Sequence, residues 1–307
     1  MKRERMSDAR RETSLIWPAA PSKHVGRFFH WLMPRMFQRS FNAVRMARGT
    51  ESVLTSLDSY AGPVIVVMNH QSWWDPVVAM FINHRLTPTR QLLGPMELSQ
   101  LRKFAILRKL GVFGIEPDHP QSQPAMIEYL AKEFALNPKL SFWVTPQGQF
   151  ADARDAIRIR PGVASVAARH SQVRVVSLAV EMAFWLDKRP EVLCRACEVS
   201  APEVVSTTGW TRAIGSAMQS NADALAELVR ARDESAFTII TASKSGTVNP
   251  LYDLWLRLRG VSGRVVATDR DAARARRAEE VGGGGAHTNA DSQVNGARAT
   301  CAERASS

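Results

Sequence analysis

The chain has 307 residues, is 45% hydrophobic and carries a net charge of +11, so it can bury a sizeable core as one or two domains. Its three cysteines, Cys194, Cys197 and Cys301, are too few for a disulfide framework and suit a reducing compartment. No apolar run reaches the roughly 18 residues of a spanning helix, and the basic start over residues 1–11 is not followed by the apolar segment of a cleavable leader, so the expectation is a cytoplasmic protein that is soluble or lies on the inner face of a membrane without crossing it.

The charge is uneven. Residues 1–50 carry +8, residues 257–307 carry +3, and the stretch between is neutral. A basic arm attracts nucleic acid or an anionic lipid surface. Residues 1–22 are polar and aperiodic, a mobile lead-in. From Val25, large apolar residues (Phe28, Phe29, Trp31, Leu32, Met33, Met36, Phe37, Phe41) interleave with Arg27, Arg35, Arg39, Arg45 and Arg48. Val25, Phe28, Phe29, Leu32, Met33 and Met36 recur at three- and four-residue steps and share a helical face, with Pro34 expected to kink or divide the helix. Two readings stand: a helix pressed into an anionic headgroup layer, which is favoured, and a helix packed on the protein's own core. So many bulky apolar residues are not what nucleic acid needs, and no nucleic-acid partner is expected.

Residues 52–58 read as a polar connector and Gly62-Pro63 as a turn. Residues 64–68 form a short apolar run suited to a buried parallel strand. The spacing predicts helices over 76–83, 97–110, 124–137, 163–169, 221–233 and 251–258. It predicts strands at 92–93, 112–115, 141–144, 173–185, 191–199 and 237–242, with Gly94-Pro95 as a turn and Gly111 as a helix cap. Strands alternating with helices predict an α/β fold with a mostly parallel central sheet flanked by helices. The organisation expected is a basic amphipathic arm over 1–50, a catalytic domain over 51–260 and a disordered tail over 261–307, in which Gly282 to Gly285 is a linker.

The chemistry concentrates at Asn69-His70-Gln71-Ser72-Trp73-Trp74-Asp75-Pro76, directly after the first buried strand. On a continuous helix His70 and Asp75 would point about 140° apart. Pro76 disfavours helix at Asp75 and favours a helix starting after it, with Asp75 as its cap and His70 in the preceding loop. A loop lets the imidazole fold back onto the carboxylate, which orients one ring nitrogen and leaves the other to take a proton. Chance pairs at this spacing are common, and the bland alternative is a capping aspartate beside a strand-end histidine. Cys194 and Cys197 have Cys-x-x-Cys spacing without a second pair or a nearby histidine, so no metal site is expected. Trp73 and Trp74 read as packing residues or as the lining of a substrate channel. His84 and His119 read as ordinary loop or surface histidines.

Residues 69–75 resemble the first block of the glycerol-phosphate and lysophospholipid acyltransferase family, and the resemblance extends over about residues 52–200. It implies His70 as general base on an acceptor hydroxyl, Asp75 as its orienting partner, and Asn69 as part of the same block. It also implies direct attack on acyl-CoA or acyl carrier protein as co-substrate, with no other cofactor. The Gly111-Val112-Phe113-Gly114-Ile115-Glu116-Pro117 stretch looks like the second block, with Pro117 where the family has a phosphate-holding arginine. Thr145-Pro146-Gln147-Gly148-Gln149-Phe150 looks like the third, with Gln147 in place of glutamate; in the fourth, Ser177 stands about where proline is usual. Gly111, Gln147 and Gly148 are therefore candidate acceptor-binding residues. Arg154, Arg158 and Arg160 are candidate substitutes for the missing guanidinium, against the alternative of a solvated basic loop. The acceptor implied is a lysophospholipid or glycerol phosphate, with a non-phosphate acceptor such as a glycosylated or isoprenoid alcohol as the alternative; a non-catalytic lipid-binding relative is the competing class.

Overall fold

The computed structural model describes residues 15–185, 188–243 and Arg259. The expected helix over 251–258, the tail from 261 and the first 14 residues of the lead-in lie outside the described residues.

Among the described residues, nine strands form one sheet. In chain order they are β1 (Ile16–Trp17), β2 (Ala43–Ala47), β3 (Val64–Met68), β4 (Gln91–Glu97), β5 (Val112–Ile115), β6 (Leu140–Val144), β7 (Arg174–Ala183), β8 (Glu191–Val199) and β9 (Phe237–Ala242). Their order across the sheet is β1-β5-β4-β6-β3-β7-β8-β2-β9. The β5-β4-β6-β3-β7 centre and the β8-β2 pair are parallel, while β1, β9 and the β7-β8 pair are antiparallel. The helices are α1 (Lys23–Ser40), α2 (Glu51–Ser59), α3 (Asp75–Leu86), α4 (Leu98–Lys103), α5 (Ser122–Leu136), α6 (Gly162–Ala167) and α7 (Thr207–Ala231). This is the α/β fold with a mostly parallel, helix-flanked sheet that the alternation of elements predicts.

β3 lies at the centre, and every one of its residues is buried. Alternate side chains leave a strand on opposite faces. Val64, Val66 and Met68 join the core layer with Met33 and Phe37 of α1, Leu54 of α2 and Phe81 of α3. Ile65 and Val67 join the other, with Leu130 of α5, Val166 of α6 and Ile214 of α7. Burial on both faces explains why β3 reads as an unbroken apolar run.

Several elements differ from the sequence reading. Residues 16–17 of the lead-in are a strand paired with β5. The boundary at residue 50 falls inside the sheet, because β2 pairs with both β8 and β9. Arg45, read as headgroup-facing, is buried with its Nε 2.5 Å from Glu191 Oε2. α1 runs through Pro34 without dividing, and its sides are split: Met33 and Phe37 are 1% exposed, whereas Phe28 and Trp31 are 56% exposed. Residues 52–58 belong to α2, whose Val53, Leu54 and Leu57 enter the core.

Gly94-Pro95 lies within β4, because the strand changes partner there. Residues 91–93 pair with β6, and residues 94–97 pair with β5. The missing N–H of Pro95 therefore falls where only one neighbour is paired. The expected helix over 97–110 breaks at Phe104 into α4 and a 3₁₀ turn, Ala105–Leu110. In that turn the Arg108 and Lys109 carbonyls accept from the Ala20 and Ser22 amides, both at 2.9 Å, which ties the lead-in to the body. Gly111 caps the turn at φ 98°, as its position predicts.

Candidate active site

Parallel strands β3, β4, β5 and β6 end at the same edge of the sheet, where open α/β folds place their ligands. The loop from β3 to α3 is pinned there from two sides. The Asn69 side chain donates to the Val180 carbonyl and accepts from its amide, both at 2.8 Å, which ties the end of β3 to β7. The His70 amide donates to Gln147 Oε1 at 2.8 Å, and the His70 carbonyl accepts from the Ala151 amide at 2.8 Å. Residues 147–151, following β6, thus grip the backbone of His70 at both of its polar groups.

Asp75 is 1% exposed and opens α3. Its Oδ2 accepts from the Gln71 amide at 2.7 Å and the Ser72 amide at 2.9 Å, and lies 2.8 Å from His70 Nδ1. The expectation that Asp75 caps the helix needs correction. Trp74 occupies the cap position, and the carboxylate turns back to the loop amides instead of serving those of the helix. The physical reason is local: Pro76 has no N–H, while the tight turn at 71–72 leaves two donors without main-chain partners. The carboxylate at the positive end of α3 also gains from the helix dipole.

With Nδ1–H donating to Asp75, the His70 ring is fixed as the tautomer with Nε2 free to accept a proton. The imidazole side chain is 20% exposed, and no described residue hydrogen-bonds Nε2. Phe150 lies over it, ring centroids 4.4 Å apart. His70, Asp75, Phe150 and Gly148 share the wall of a cavity of about 400 Å³ that runs between α3 and the ends of β4, β5 and β6. Its walls are mostly apolar, with Met68, Ala79, Met80, Leu92, Val112 and Trp143 among them. The two tryptophans divide the roles weighed for them. Trp74 packs on Phe41 with ring centroids 4.8 Å apart, and Trp73 is 61% exposed at the cavity.

The other expected site residues scatter. Gln147 reaches the backbone of His70. Gly148 takes φ 70° in the turn after β6, and a Cβ there would come 2.8 Å from Arg160 Nε. Gly111 does not line the cavity but sits behind its wall, where its carbonyl accepts from the Gly94 amide at 3.1 Å. Arg154 is held on Glu181, with Nε–Oε1 at 3.0 Å and Nη2–Oε1 at 2.5 Å. Arg160 pairs with Asp118 at 3.1 Å, and Arg158 is exposed with no partner among the described residues. None of the three arginines lines the cavity, which does contain Pro117. Outside it, His84 stacks on His30 with centroids 3.7 Å apart, and His119 stays on the surface.

Among the described residues, no three His, Cys, Asp or Glu side chains are placed to hold a metal ion. Cys194 is fully buried, which pushes its thiol up to about 12. Sequence reasoning missed Phe150 and the carboxylate of Glu97, both cavity-lining; only their places just beyond β6 and at the end of β4 pointed to them.

Residues 45–181 match the acyltransferase family model, a span that holds His70, Asp75 and strands β3 to β6. Over that span the chain is similar to the acyltransferase family. The crystal structure of the 1-acyl-sn-glycerophosphate (LPA) acyltransferase PlsC from Thermotoga maritima is similar over 69% of this chain and 80% of that one, with 17% identity and a TM-score of 0.43. No curated protein matches the chain. No helix among the described residues is long and apolar enough to cross a membrane.

Proposed function

We propose that this domain moves a fatty acyl group from an acyl-CoA or acyl carrier protein thioester to a hydroxyl of a lipid-like acceptor. The observation that carries the reading is the Asp75-held His70 in the wall of an apolar cavity whose volume is in the range of small-molecule sites. In this account His70 Nε2 takes the acceptor's hydroxyl proton while its oxygen bonds to the thioester carbon. The C–S bond then breaks, and the imidazolium returns the proton to the departing thiolate. Asp75 acts through His70: it keeps the proton on Nδ1 and stabilises the imidazolium. No acyl-enzyme is formed and no metal or other cofactor takes part. The apolar walls take the acyl chain.

The test is incubation of the purified chain with radiolabelled acyl-CoA and a total lipid extract. The account expects label in an esterified lipid; label confined to free fatty acid and unreacted thioester would overturn it.

A peripheral position on the anionic cytoplasmic face of the membrane completes the reading. Its support is α1, where exposed Phe28 and Trp31 lie among Lys23, Arg27 and Arg35. Replacing Phe28 and Trp31 by serine should reduce co-flotation with anionic vesicles severalfold without changing the melting temperature. Undiminished flotation would contradict this placement.

A further inference from the structure

Charge in the catalytic cavity is sorted in one direction. Among the described residues, two carboxylates, Asp75 and Glu97, stand in its wall, and no lysine or arginine does. Asp75 is engaged with His70 and the loop amides. Glu97 is exposed at the end of β4, in register with Ile115, and shares the cavity lining with Pro117; its hydrogen bond among the described residues is from Ser99 Oγ. The remaining polar lining is neutral. The side chains of Gln100, Thr145 and Gln149 make no hydrogen bond to described residues. Two exposed rings, Trp73 and Phe150, flank the same space with centroids 5.7 Å apart.

A phosphate brought into this groove would meet two carboxylates and, among the described residues, no cation in the wall. A charge removed from water needs an opposite charge or several donors. Arg154 is held on Glu181, and Arg160, which lies behind the wall residue Gly148, is paired with Asp118 at the surface; neither lines the cavity. A hydroxyl-rich neutral head meets the opposite situation. Glu97 accepts from its hydroxyls, the amides of Gln100 and Gln149 both donate and accept, and an aromatic ring covers the C–H face of a sugar or polyol.

We infer that the acceptor carries an uncharged, hydroxyl-rich head, a sugar or polyol, and that Glu97 selects against phosphate. This rests on the acyl-transfer reading above. The test uses the full chain, labelled palmitoyl-CoA and three probes: 1-oleoylglycerol, its 3-phosphate, and dodecyl glucoside. The expected result is a kcat/KM for at least one neutral probe on the order of tenfold or more above the phosphate probe. Glu97→Arg, at an exposed position that leaves the melting temperature unchanged, should narrow or invert that ratio by on the order of tenfold, mainly through KM.

A wild-type preference for the phosphate probe, or a ratio that Glu97→Arg leaves unchanged, overturns the head-group inference and leaves acyl transfer standing. Transfer to none of the three probes contradicts the acyl-transfer reading itself. Loss of transfer to the phosphate probe alone in Arg160→Met would assign phosphate recognition to Arg160 and likewise overturn the inference.

Discussion

Asp75→Asn separates the two tasks of one carboxylate. Oδ2 accepts three hydrogen bonds, from the Gln71 amide at 2.7 Å, from His70 Nδ1 at 2.8 Å and from the Ser72 amide at 2.9 Å. Asparagine keeps an oxygen at that place but removes the charge. It also sets an NH2 group where Oδ1 is buried without a partner. A hydrogen bond to a charged group contributes about 1 kcal/mol more than a neutral one, so the two amide bonds together lose about 2 kcal/mol of stability. Both amides are part-buried and reachable by water after a small shift, which keeps the cost at that level.

The catalytic loss is larger. An amide oxygen holds the Nδ1 proton more weakly and does not stabilise the imidazolium that forms, and a positioned general base contributes about 10²–10⁴ in rate. Asp75→Asn should therefore lower kcat at least about 100-fold with KM for the thioester within about threefold. Initial rates of labelled acyl transfer and a thermal melt on the same preparation make the measurement. A variant within threefold of wild-type kcat would refute the role given to Asp75.

Gly111→Ala should act on folding and not on substrate affinity. Its φ is 98°, and an added Cβ would lie 2.1 Å from the Leu92 carbonyl oxygen, so a loss above about 2 kcal/mol is expected in denaturant unfolding, with KM unchanged in the folded fraction. Stability should also fall with acid. Burial, followed by the neighbouring His84, pushes His30 below the usual histidine range; burial and then Arg85 do the same to His84, and burial alone lowers His170. The unfolded rings take up protons near pH 6.5 and the folded ones at lower pH. Their contribution is therefore complete above pH 6.5 and is lost as pH drops through the folded values. Thermal melts from pH 7.5 to 5 should show a falling Tm, with a smaller fall in His84→Phe; a flat or rising Tm would count against this assignment.

The parts of the fold legible in the sequence are those whose environment is uniform. β3 is buried on both faces and reads as Val64-Ile65-Val66-Val67-Met68 without interruption. Elements with mixed surroundings were harder to read. β2 carries Arg45 in a buried position, which makes sense only beside Glu191, 146 residues away. α2 exposes serine and threonine on one side and hides Val53, Leu54 and Leu57 on the other. The first half of α7, with Trp210, Ile214, Ala217 and Met218 on its buried side, carries a helical spacing that extends the helix predicted over 221–233 back to Thr207.

Arg90 shows why sequence alone falls short. Nothing local marks it, yet its guanidinium is 3% exposed and donates to Ser141 Oγ and to the carbonyls of Leu57, Tyr60, Gly62 and Leu140. That desolvation pulls it down to about 10.

At the site, the His70–Asp75 pairing was legible because a proline and a strand end bracket five residues. The uses of Asn69 and Gln147 were not, because each is set by a partner brought in by the sheet: Val180 and the His70 backbone. Phe150 and Glu97 were invisible for the same reason, since only the folded ends of β6 and β4 bring them to the cavity that holds His70.

The central claim is that His70 is the base. The most direct measurement is transfer of labelled acyl groups to an accepted hydroxyl lipid by wild type and by His70→Ala. Both are assayed at matched concentration after thermal melts confirm that both are folded. The account predicts a loss of on the order of 10³-fold or more in kcat for His70→Ala. Equal rates of product formation by the two proteins would contradict it.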